Sequence, residues 1–147
     1  RVIEYNCRFG DPETQVVLPL LESDLLTVMQ AVTNGTLADC PVKFSDSHAC
    51  CVIMASDGYP VSYGKGYEIT IPEQIRPYVY VAGAALKEDR LVTAGGRVLG
   101  VIATADDLRS AINLAYERAW NVNFENKYFR RDIGQRALKA GKTGRGE

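Results

Sequence analysis

The sequence predicts an α+β fold, in which helices come first, a small antiparallel β-rich domain follows, and a further helix packs on the strands. Two patterns support this prediction. Helical patterns occupy much of the first 35 residues, and short β-like runs separated by turn residues begin at His48. Length agrees with it, because 147 residues, 46% of them hydrophobic, are enough for one ordinary domain with its own core.

Residues 1–6 have the alternating pattern of a β-strand. Ile3 and Tyr5 would lie on one face, and Glu4 and Asn6 on the other. A natural chain rarely begins inside a strand, and this one has no initiator methionine, so we expect further sequence upstream.

Two helices are predicted next. Asp11 suits an N-cap and Pro12 suits the first helical position, which predicts a short helix to about Leu18. A second helix is expected from its candidate N-cap, Ser23, to the helix-ending pair Asn34-Gly35. The predicted buried stripe of this second helix consists of Leu25, Val28, Met29 and Val32.

A β-rich region is predicted after the loop at 36–47. Its expected strands are residues 49–55, 67–71, 78–82, 91–93 and 97–104. The run Ser56-Asp57-Gly58-Tyr59-Pro60 is a turn signal. Gly95-Gly96 separates the last two expected strands at a spacing that predicts a hairpin.

A third helix is predicted after Thr104, its candidate N-cap, with Asp106 and Asp107 in the first turn, where the helix dipole favours acids. Its predicted buried stripe consists of Leu108, Ala111, Ile112, Ala115 and Ala119. A short strand is expected at 122–124. Residues 139–147 are rich in Gly and Lys and are expected to be a flexible tail.

The composition argues against several functions. A formal net charge of −1 lacks the basic excess of a nucleic-acid-binding protein. No apolar run approaches the roughly 20 residues that span a bilayer, and no signal segment opens the chain. The cysteines match no zinc-binding spacing, so we interpret them as free thiols of a cytoplasmic protein. They are Cys7, Cys40, Cys50 and Cys51.

The first segment also carries the candidate chemistry. Period-two geometry would place Glu4, Asn6 and Arg8 side by side. A carboxylate with an amide oxygen suits a hard cation such as Mg²⁺, and an arginine beside them suits a phosphate or carboxylate. The following turn, Gly10 to Glu13, would present backbone N–H groups at a helix start. The alternative is structural, because alternating polar residues also occur on a solvated sheet face.

A family resemblance favours the chemical interpretation. The run RVIEYNCRFGDPETQ, residues 1–15, resembles the final metal-binding strand and loop of the glycinamide ribonucleotide synthetase family of ATP-grasp ligases. Further family motifs follow in order, and the resemblance extends to about Ala137. These motifs are Ser23-Asp24-Leu25, Val52-Ile53-Met54-Ala55-Ser56, Gly58-Tyr59-Pro60, Lys65-Gly66, Gly95-Gly96-Arg97-Val98-Leu99 and Tyr128-Phe129-Arg130-Arg131-Asp132-Ile133-Gly134.

The resemblance implies a reaction and a set of domains. The family joins glycine to 5-phosphoribosylamine with ATP, through a glycyl phosphate, in cytoplasmic purine synthesis. Residues 1–36 would be the end of an ATP-grasp domain, 48–138 a small β-rich C-terminal domain, and 139–147 the tail. The missing N-terminal and ATP-binding domains would be partners, so this chain alone is not expected to catalyse the reaction.

The resemblance also implies roles for particular residues. Glu4 and Asn6 would bind Mg²⁺ or Mn²⁺, and Arg8 would be catalytic, steadying the transferred phosphoryl group. Arg8, Gly10, Asp11 and Glu13 would contact substrate. Either Asp11 or Glu13 could orient an amine, and the sequence does not choose between them. Arg97 is a weaker candidate for a contact on the nucleotide side.

Three departures from the family and one alternative function accompany this interpretation. The usual Phe-His-Ala-Gly-Thr stretch reads Tyr80-Val81-Ala82-Gly83-Ala84, the usual Asn-Gly-Gly-Arg begins with Ala94, and the usual Gly-Gly-Tyr-Pro begins with Asp57. None of the three touches the metal motif. The alternative function is a non-catalytic lid or interaction module that packs on a partner domain, which an exposed apolar face along Ile3, Tyr5 and Phe9 would favour.

Overall fold

The protein is described from a computed structural model, which defines residues 1–3, 5 and 7–143. The helices are α1 (Thr14–Val17), α2 (Leu25–Asn34), α3 (Leu108–Asn121) and α4 (Gln135–Thr143). The strands are β1 (His48–Ser56), β2 (Val79–Val81), β3 (Ala84–Lys87), β4 (Arg90–Thr93), β5 (Arg97–Ala105) and β6 (Lys127–Tyr128). Short 3₁₀ turns occupy Leu18–Leu20, Leu37–Asp39 and Arg76–Tyr78. None of the helices in the part of the chain described has both the length and the apolar character of a membrane span.

Two antiparallel sheets confirm the predicted α+β class. The larger has the strand order β2-β5-β1-β6, and the smaller pairs β3 with β4. The long strands β1 and β5 are the centre of the larger sheet, running from the pair His48↔Ala105 to the pair Met54↔Leu99 in regular register. All pairings between these strands are antiparallel, and β3 is joined to β4 by the two residues Glu88 and Asp89.

The hydrophobic core lies between this sheet and α3. Val52 and Met54 of β1 and Val101 of β5 have no exposed surface. The predicted stripe of α3 is confirmed, since its members belong to this core or pack against its edge. Small Ala111 and Ala115 side chains bring the helix backbone close to the strands, which maximises close packing.

The N-terminal helices are covered less well. Helix α1 lies on the opposite face of the sheet from α3, where a Cβ at Gly100 would come within 3.8 Å of Cγ of Gln15. The predicted stripe of α2 is wrong in part, because Val32 is 59% exposed and Met29 is also exposed. No layer of the described chain covers that side of the helix.

Three predicted N-caps are displaced by a few residues. Asp24, not Ser23, caps α2 by accepting a hydrogen bond from Thr27 N at 2.7 Å. Asp107, not Thr104, caps α3 by accepting one from Ser110 N at 3.0 Å. The position before α1 is Glu13, whose side chain makes no capping bond. The predicted end of α2 is confirmed, with Gly35 in the left-handed region at φ 70°.

The predicted hairpin across Gly95-Gly96 is wrong. Strand β4 pairs with β3, and β5 pairs with β1 and β2, so this pair of glycines carries the chain from one sheet to the other. A Cβ at Gly83 would lie only 2.8 Å from the Gly95 α-carbon. Glycine is needed there because two backbone segments approach directly, and Gly95 N donates to Gly83 O at 2.8 Å.

Other predicted strands are shorter than expected or not formed. Residues 67–71 contribute isolated bridges at Glu68 and Thr70, the second paired with Asn123 of the expected strand 122–124. The described residues of 1–6 form no strand and are exposed. An extended segment needs a neighbouring strand for its hydrogen bonds, and the described chain supplies none there. Helix α4 extends into the expected flexible tail as far as Thr143.

Candidate functional site

The predicted metal ligands, Glu4 and Asn6, lie outside the described residues. The described residues that flank them, Ile3, Tyr5 and Cys7, are all exposed. The described part of the chain contains no group of three or more His, Cys, Asp or Glu residues arranged for a metal ion. The donor chemistry of the pair, a carboxylate and an amide oxygen, fits Mg²⁺, which commonly takes few protein ligands and keeps positions for phosphate oxygens.

Arg8 lies in the exposed segment before the loop. Its Nη1 donates to the carbonyl oxygen of the adjacent Phe9 at 3.0 Å. Among the described residues, its guanidinium has no other hydrogen bond or ion pair. An exposed guanidinium of this kind is available for a phosphate or carboxylate.

The loop from Gly10 to Glu13 is closed by the first turn of α1. Thr14 donates to the Gly10 carbonyl oxygen through its backbone N–H, at 3.0 Å, and through its hydroxyl. The Glu13 carbonyl oxygen accepts from the backbone N–H groups of Val16 and Val17, both at 3.1 Å. These hydrogen bonds fix the backbone of Gly10 and Glu13, and with it the position from which the Glu13 side chain extends.

Asp11 is fixed by two side chains from different parts of the chain. One carboxylate oxygen, Oδ1, accepts from Gln15 Nε2 at 2.9 Å, and the other, Oδ2, is 3.1 Å from Nη2 of Arg97. Arg97 Nη1 also donates to the Asp11 backbone carbonyl at 3.0 Å. Arg97 thus holds both the side chain and the backbone of Asp11, 86 positions earlier in the sequence.

A β-bulge explains why Arg97 points at this loop. Met54 pairs with Leu99 but the next residue, Ala55, pairs with Arg97, so β5 has one extra residue at this point. Strict alternation would place Arg97 on the same face as Leu99, which belongs to the core under α3. The bulge instead places it opposite Ala55, on the face where α1 lies.

Glu13 has a different environment from Asp11. Its carboxylate lies over Gly10, with Cδ at 2.8 Å from the position a Cβ would take there. Within the described chain, Glu13 makes no side-chain hydrogen bond and no ion pair. It lines a pocket of about 550 Å³ together with Pro12, Tyr59 and Arg97.

This pocket follows the outer edge of β1. Strand β6 pairs with β1 only at Ala55 and Ser56, so residues 48–54 have no paired strand on that side within the described chain. The wall is largely apolar and contains the Cys51 thiol. Burial, then the neighbouring Cys50 thiol and Asp11 carboxylate, raise the pKa of Cys51 to about 12, so it is an inert thiol here.

The sequence predicted the loop from Gly10 to Glu13 but not the two side chains, Gln15 and Arg97, that bind Asp11 in it. Arg97 stays a weaker candidate for a contact on the nucleotide side, and in the structure its guanidinium binds Asp11. The Gln15 contact follows i,i+4 spacing, which could have indicated it. The Arg97 contact depends on a bulge and on a pairing of distant segments, for which the sequence contains no local signal.

Similar proteins provide a second line of observation. The family model described as "Phosphoribosylglycinamide synthetase, C domain" matches residues 49–136. The chain is 46% identical over 142 residues to a protein named phosphoribosylamine–glycine ligase from Synechocystis sp., covering 94% of this chain and 34% of that protein. It is 49% identical over 142 residues to the "Trifunctional purine biosynthetic protein adenosine-3" of Gallus gallus, covering 94% of this chain and 14% of that protein.

A solved structure shares the fold. The crystal structure of phosphoribosylamine–glycine ligase from Thermotoga maritima matches with a TM-score of 0.74 and 41% sequence identity, covering 89% of this chain and 32% of that one. The chain therefore spans about a third of the length of the single-activity ligases it matches and a smaller share of the trifunctional protein.

Proposed function

This chain belongs to the phosphoribosylglycinamide synthetase C-domain family, and we propose that it is the C-terminal part of an ATP-dependent ligase that joins glycine to 5-phosphoribosylamine. The observation that carries the proposal is its similarity, over nearly its whole length, to proteins named phosphoribosylamine–glycine ligase. Under this proposal residues 1–36 are the end of an ATP-grasp domain, and 48–138 form the small C-terminal domain of a cytoplasmic enzyme of purine synthesis.

The proposed reaction has two steps. A glycine carboxylate oxygen attacks the γ-phosphorus of ATP, the bond to the β–γ bridging oxygen breaks, and ADP leaves with glycyl phosphate formed. The amine of 5-phosphoribosylamine then attacks the glycyl carbonyl carbon, loses a proton, and expels inorganic phosphate. The products are glycinamide ribonucleotide, ADP and phosphate, and no covalent bond to the protein is required.

The residues of this chain have supporting roles in both steps. Glu4 and Asn6 would hold Mg²⁺ or Mn²⁺, which supplies neutralisation of the phosphate charge when bound. Arg8, whose guanidinium is exposed, would steady the transferred phosphoryl group as a catalytic residue. Gly10, Asp11 and Glu13 would form the substrate loop, which is built on the first turn of α1.

A hybrid ligase tests this proposal. In it, this chain replaces the matching C-terminal third of the Synechocystis relative, so that the upstream domains are supplied by a protein of the same family. We expect turnover that depends on ATP, glycine and phosphoribosylamine, measured as ADP release. Glu4→Ala and Asn6→Ala should each raise the Mg²⁺ concentration needed for half-maximal rate, and unchanged Mg²⁺ demand would reject the metal assignment.

A specific observation favours a second candidate, a non-catalytic module that packs on a partner domain. Ile3 is 98% exposed, Tyr5 80% and Phe9 52%. A run of large apolar side chains exposed to water is energetically unfavourable and is typical of an interaction surface. The hybrid ligase discriminates between the two candidates. Turnover that is lost in Tyr5→Ser but unchanged in Glu4→Ala, Asn6→Ala and Arg8→Ala would support the non-catalytic module, because the chain would then contribute packing and no ligand of the metal or phosphate.

A further inference from the structure

The two carboxylates of the loop lie two positions apart but have opposite surroundings. Asp11 has a partner on each of its carboxylate oxygens, Gln15 on one and Arg97 on the other. Glu13 has none among the described residues. Taking the proposed function as given, we infer that Asp11 is a positioning residue held by Arg97, and that Glu13 is the carboxylate that binds the amino group of a substrate.

Arg97 borders the pocket, but its guanidinium is bound to the loop. Two nitrogen atoms of its guanidinium contact two different oxygen atoms of Asp11, one from the side chain and one from the backbone. Such a two-point contact constrains the orientation of Asp11 relative to the guanidinium as well as the distance between them. The bulge that turns Arg97 toward α1 has the same consequence, because it aligns the guanidinium with the loop.

Gln15 completes the fixation of Asp11. Its amide donates to Oδ1 from one turn along α1, so the carboxylate is held from the helix and from the sheet at once. Each oxygen keeps a second lone-pair site, but the two contacts, from the helix and from the sheet, hold the carboxylate in one orientation. Asp11 therefore defines the position of the loop and is not free to follow a ligand.

Glu13 combines a fixed backbone with an unengaged side chain. Its carbonyl oxygen accepts two helical N–H groups, which fixes where the side chain starts. Its carboxylate reaches back over Gly10 and borders the pocket. A carboxylate without a cation can accept charge-assisted hydrogen bonds from a protonated or neutral primary amine, the group that both proposed amine-bearing substrates carry.

The test uses the hybrid ligase and measures KM and kcat separately for the two amine-bearing substrates. Glu13→Gln should raise KM for one of them by about tenfold or more, because a charged hydrogen bond is lost, with a smaller change in kcat. Asp11→Asn and Arg97→Gln should each lower kcat by about tenfold or more through misplacement of the loop. Glu22→Gln, which changes an exposed carboxylate outside the loop, is the matched control and should change neither parameter.

The double variant and a conservative variant separate positioning from general damage. Asp11→Asn combined with Arg97→Gln should lower kcat no more than Arg97→Gln alone, because the loss of Arg97 already removes the contact with the Asp11 side chain as well as the one with its backbone. Arg97→Lys should recover part of kcat because the charge is kept while one bond is lost. Hydrogen exchange of the Thr14 amide, in the chain alone, should become faster in Asp11→Asn and Arg97→Gln and stay unchanged in Glu13→Gln.

Distinct results would overturn distinct statements. If Asp11→Asn raised the amine KM as Glu13→Gln does and left exchange at Thr14 unchanged, Asp11 would be the amine ligand. If Glu13→Gln behaved like Glu22→Gln, the role of Glu13 would be rejected. A folded hybrid without glycine-dependent turnover would contradict the proposed function and the substrate role of Glu13 with it, while exchange at Thr14 would still decide whether Arg97 holds Asp11.

Discussion

In the layer formed by β1, β5 and α3, apolar side chains from three segments enclose one another, and Val52, Val101 and Ala115 have no exposed surface. In residues 1–47 many apolar side chains are exposed, and Ile3, Leu26 and Val32 are examples. Both regions contain many apolar residues. The difference is that the first region buries its own side chains, whereas the second leaves much of its apolar surface exposed within the described chain.

This contrast has an energetic meaning. Burial of apolar surface is the main favourable term in folding, at about 25 cal/mol per Å². The β1–β5–α3 layer is stabilised by apolar surface that it buries within the chain. The N-terminal region buries little apolar surface, so its stability in the chain alone depends on helix caps, the contact of Arg97 with the loop and partial packing on the sheet.

The largest expected difference between the regions is in thiol reactivity. Burial raises the pKa of Cys50 to about 11 and that of Cys51 to about 12, from an ordinary 9.0. Because only the thiolate reacts, their labelling by iodoacetamide at pH 8 should be slower by about 100-fold and about 1,000-fold, respectively, than for unshifted thiols. The exposed Cys7 should be labelled first.

Mass spectrometry of a labelling time course measures this difference site by site. In denaturant the four cysteines should react at similar rates, which is the control. Equal rates for Cys7 and Cys51 in the native chain would mean that the sheet face under α1 is open, and the comparison of the two regions would fail.

A matched pair of leucines tests the same contrast through stability. Leu99 in β5 is 1% exposed, and Leu26 in α2 is 63% exposed. Leu99→Ala should lower the free energy of unfolding by about 3 kcal/mol, because it removes transfer energy and leaves a cavity. Leu26→Ala should change it by about 0.5 kcal/mol or less.

Urea unfolding followed by far-ultraviolet circular dichroism gives both values. If the two substitutions cost the same, α2 would be part of the cooperative core after all. In the hybrid ligase, a larger cost for Leu26→Ala than in the chain alone would show that the upstream domains cover α2.

Lys127 provides a prediction of intermediate size at the end of α3. Its Nζ donates to the Val122 carbonyl at 2.8 Å, to the Trp120 carbonyl at 3.1 Å and to Asn123 Oδ1 at 2.8 Å. A cation at this end also complements the helix dipole. Lys127→Met should lower the free energy of unfolding by about 1–2 kcal/mol, because the carbonyls lose a charged donor.

The control for Lys127 comes from the N-terminal region. Lys43 is exposed, and no hydrogen bond or ion pair of its side chain occurs within the described chain. Lys43→Met should leave the denaturation midpoint unchanged. An equal loss in both variants would indicate an effect of net charge and would reject the specific contact.

The smallest expected effects come from the two helix caps, which have the same chemistry in different regions. Hydrogen bonds from the Ser110 side chain and backbone lower the pKa of Asp107 below its ordinary 3.8, and Thr27 does the same for Asp24. Asp107→Ala should lower the thermal midpoint by less than Lys127→Met does. Asp24→Ala should change it even less, because α2 contributes little to the cooperative core.

The pH dependence of the cap effect has a definite sign. A carboxyl whose pKa is lower in the folded state stabilises above its unfolded pKa and loses that contribution as pH falls through the folded value. The difference between the original chain and Asp107→Ala should therefore be full above pH 3.8 and shrink below it. Thermal melts across that range measure this, and a constant difference would reject the cap as its cause.

Local patterns predicted those parts of the fold that depend on neighbouring residues. The stripe of α3 repeats every three to four positions, so its buried face could be read from one segment. The stripe of α2 has the same pattern, but whether such a stripe is buried depends on what packs against it. The hairpin prediction at Gly95-Gly96 failed for a related reason, since short spacing favours pairing but does not exclude two different partners.

Local periodicity and motifs read in order were enough to predict the α+β class, the long strands β1 and β5, the helix α3 and the family resemblance. The contact of Arg97 with Asp11, and the lack of such a contact at Glu13 within the described chain, became visible only in the folded chain. One extra residue in β5 turns the Arg97 side chain to the other face of the sheet, and its contact with a residue 86 positions away depends on that change of face.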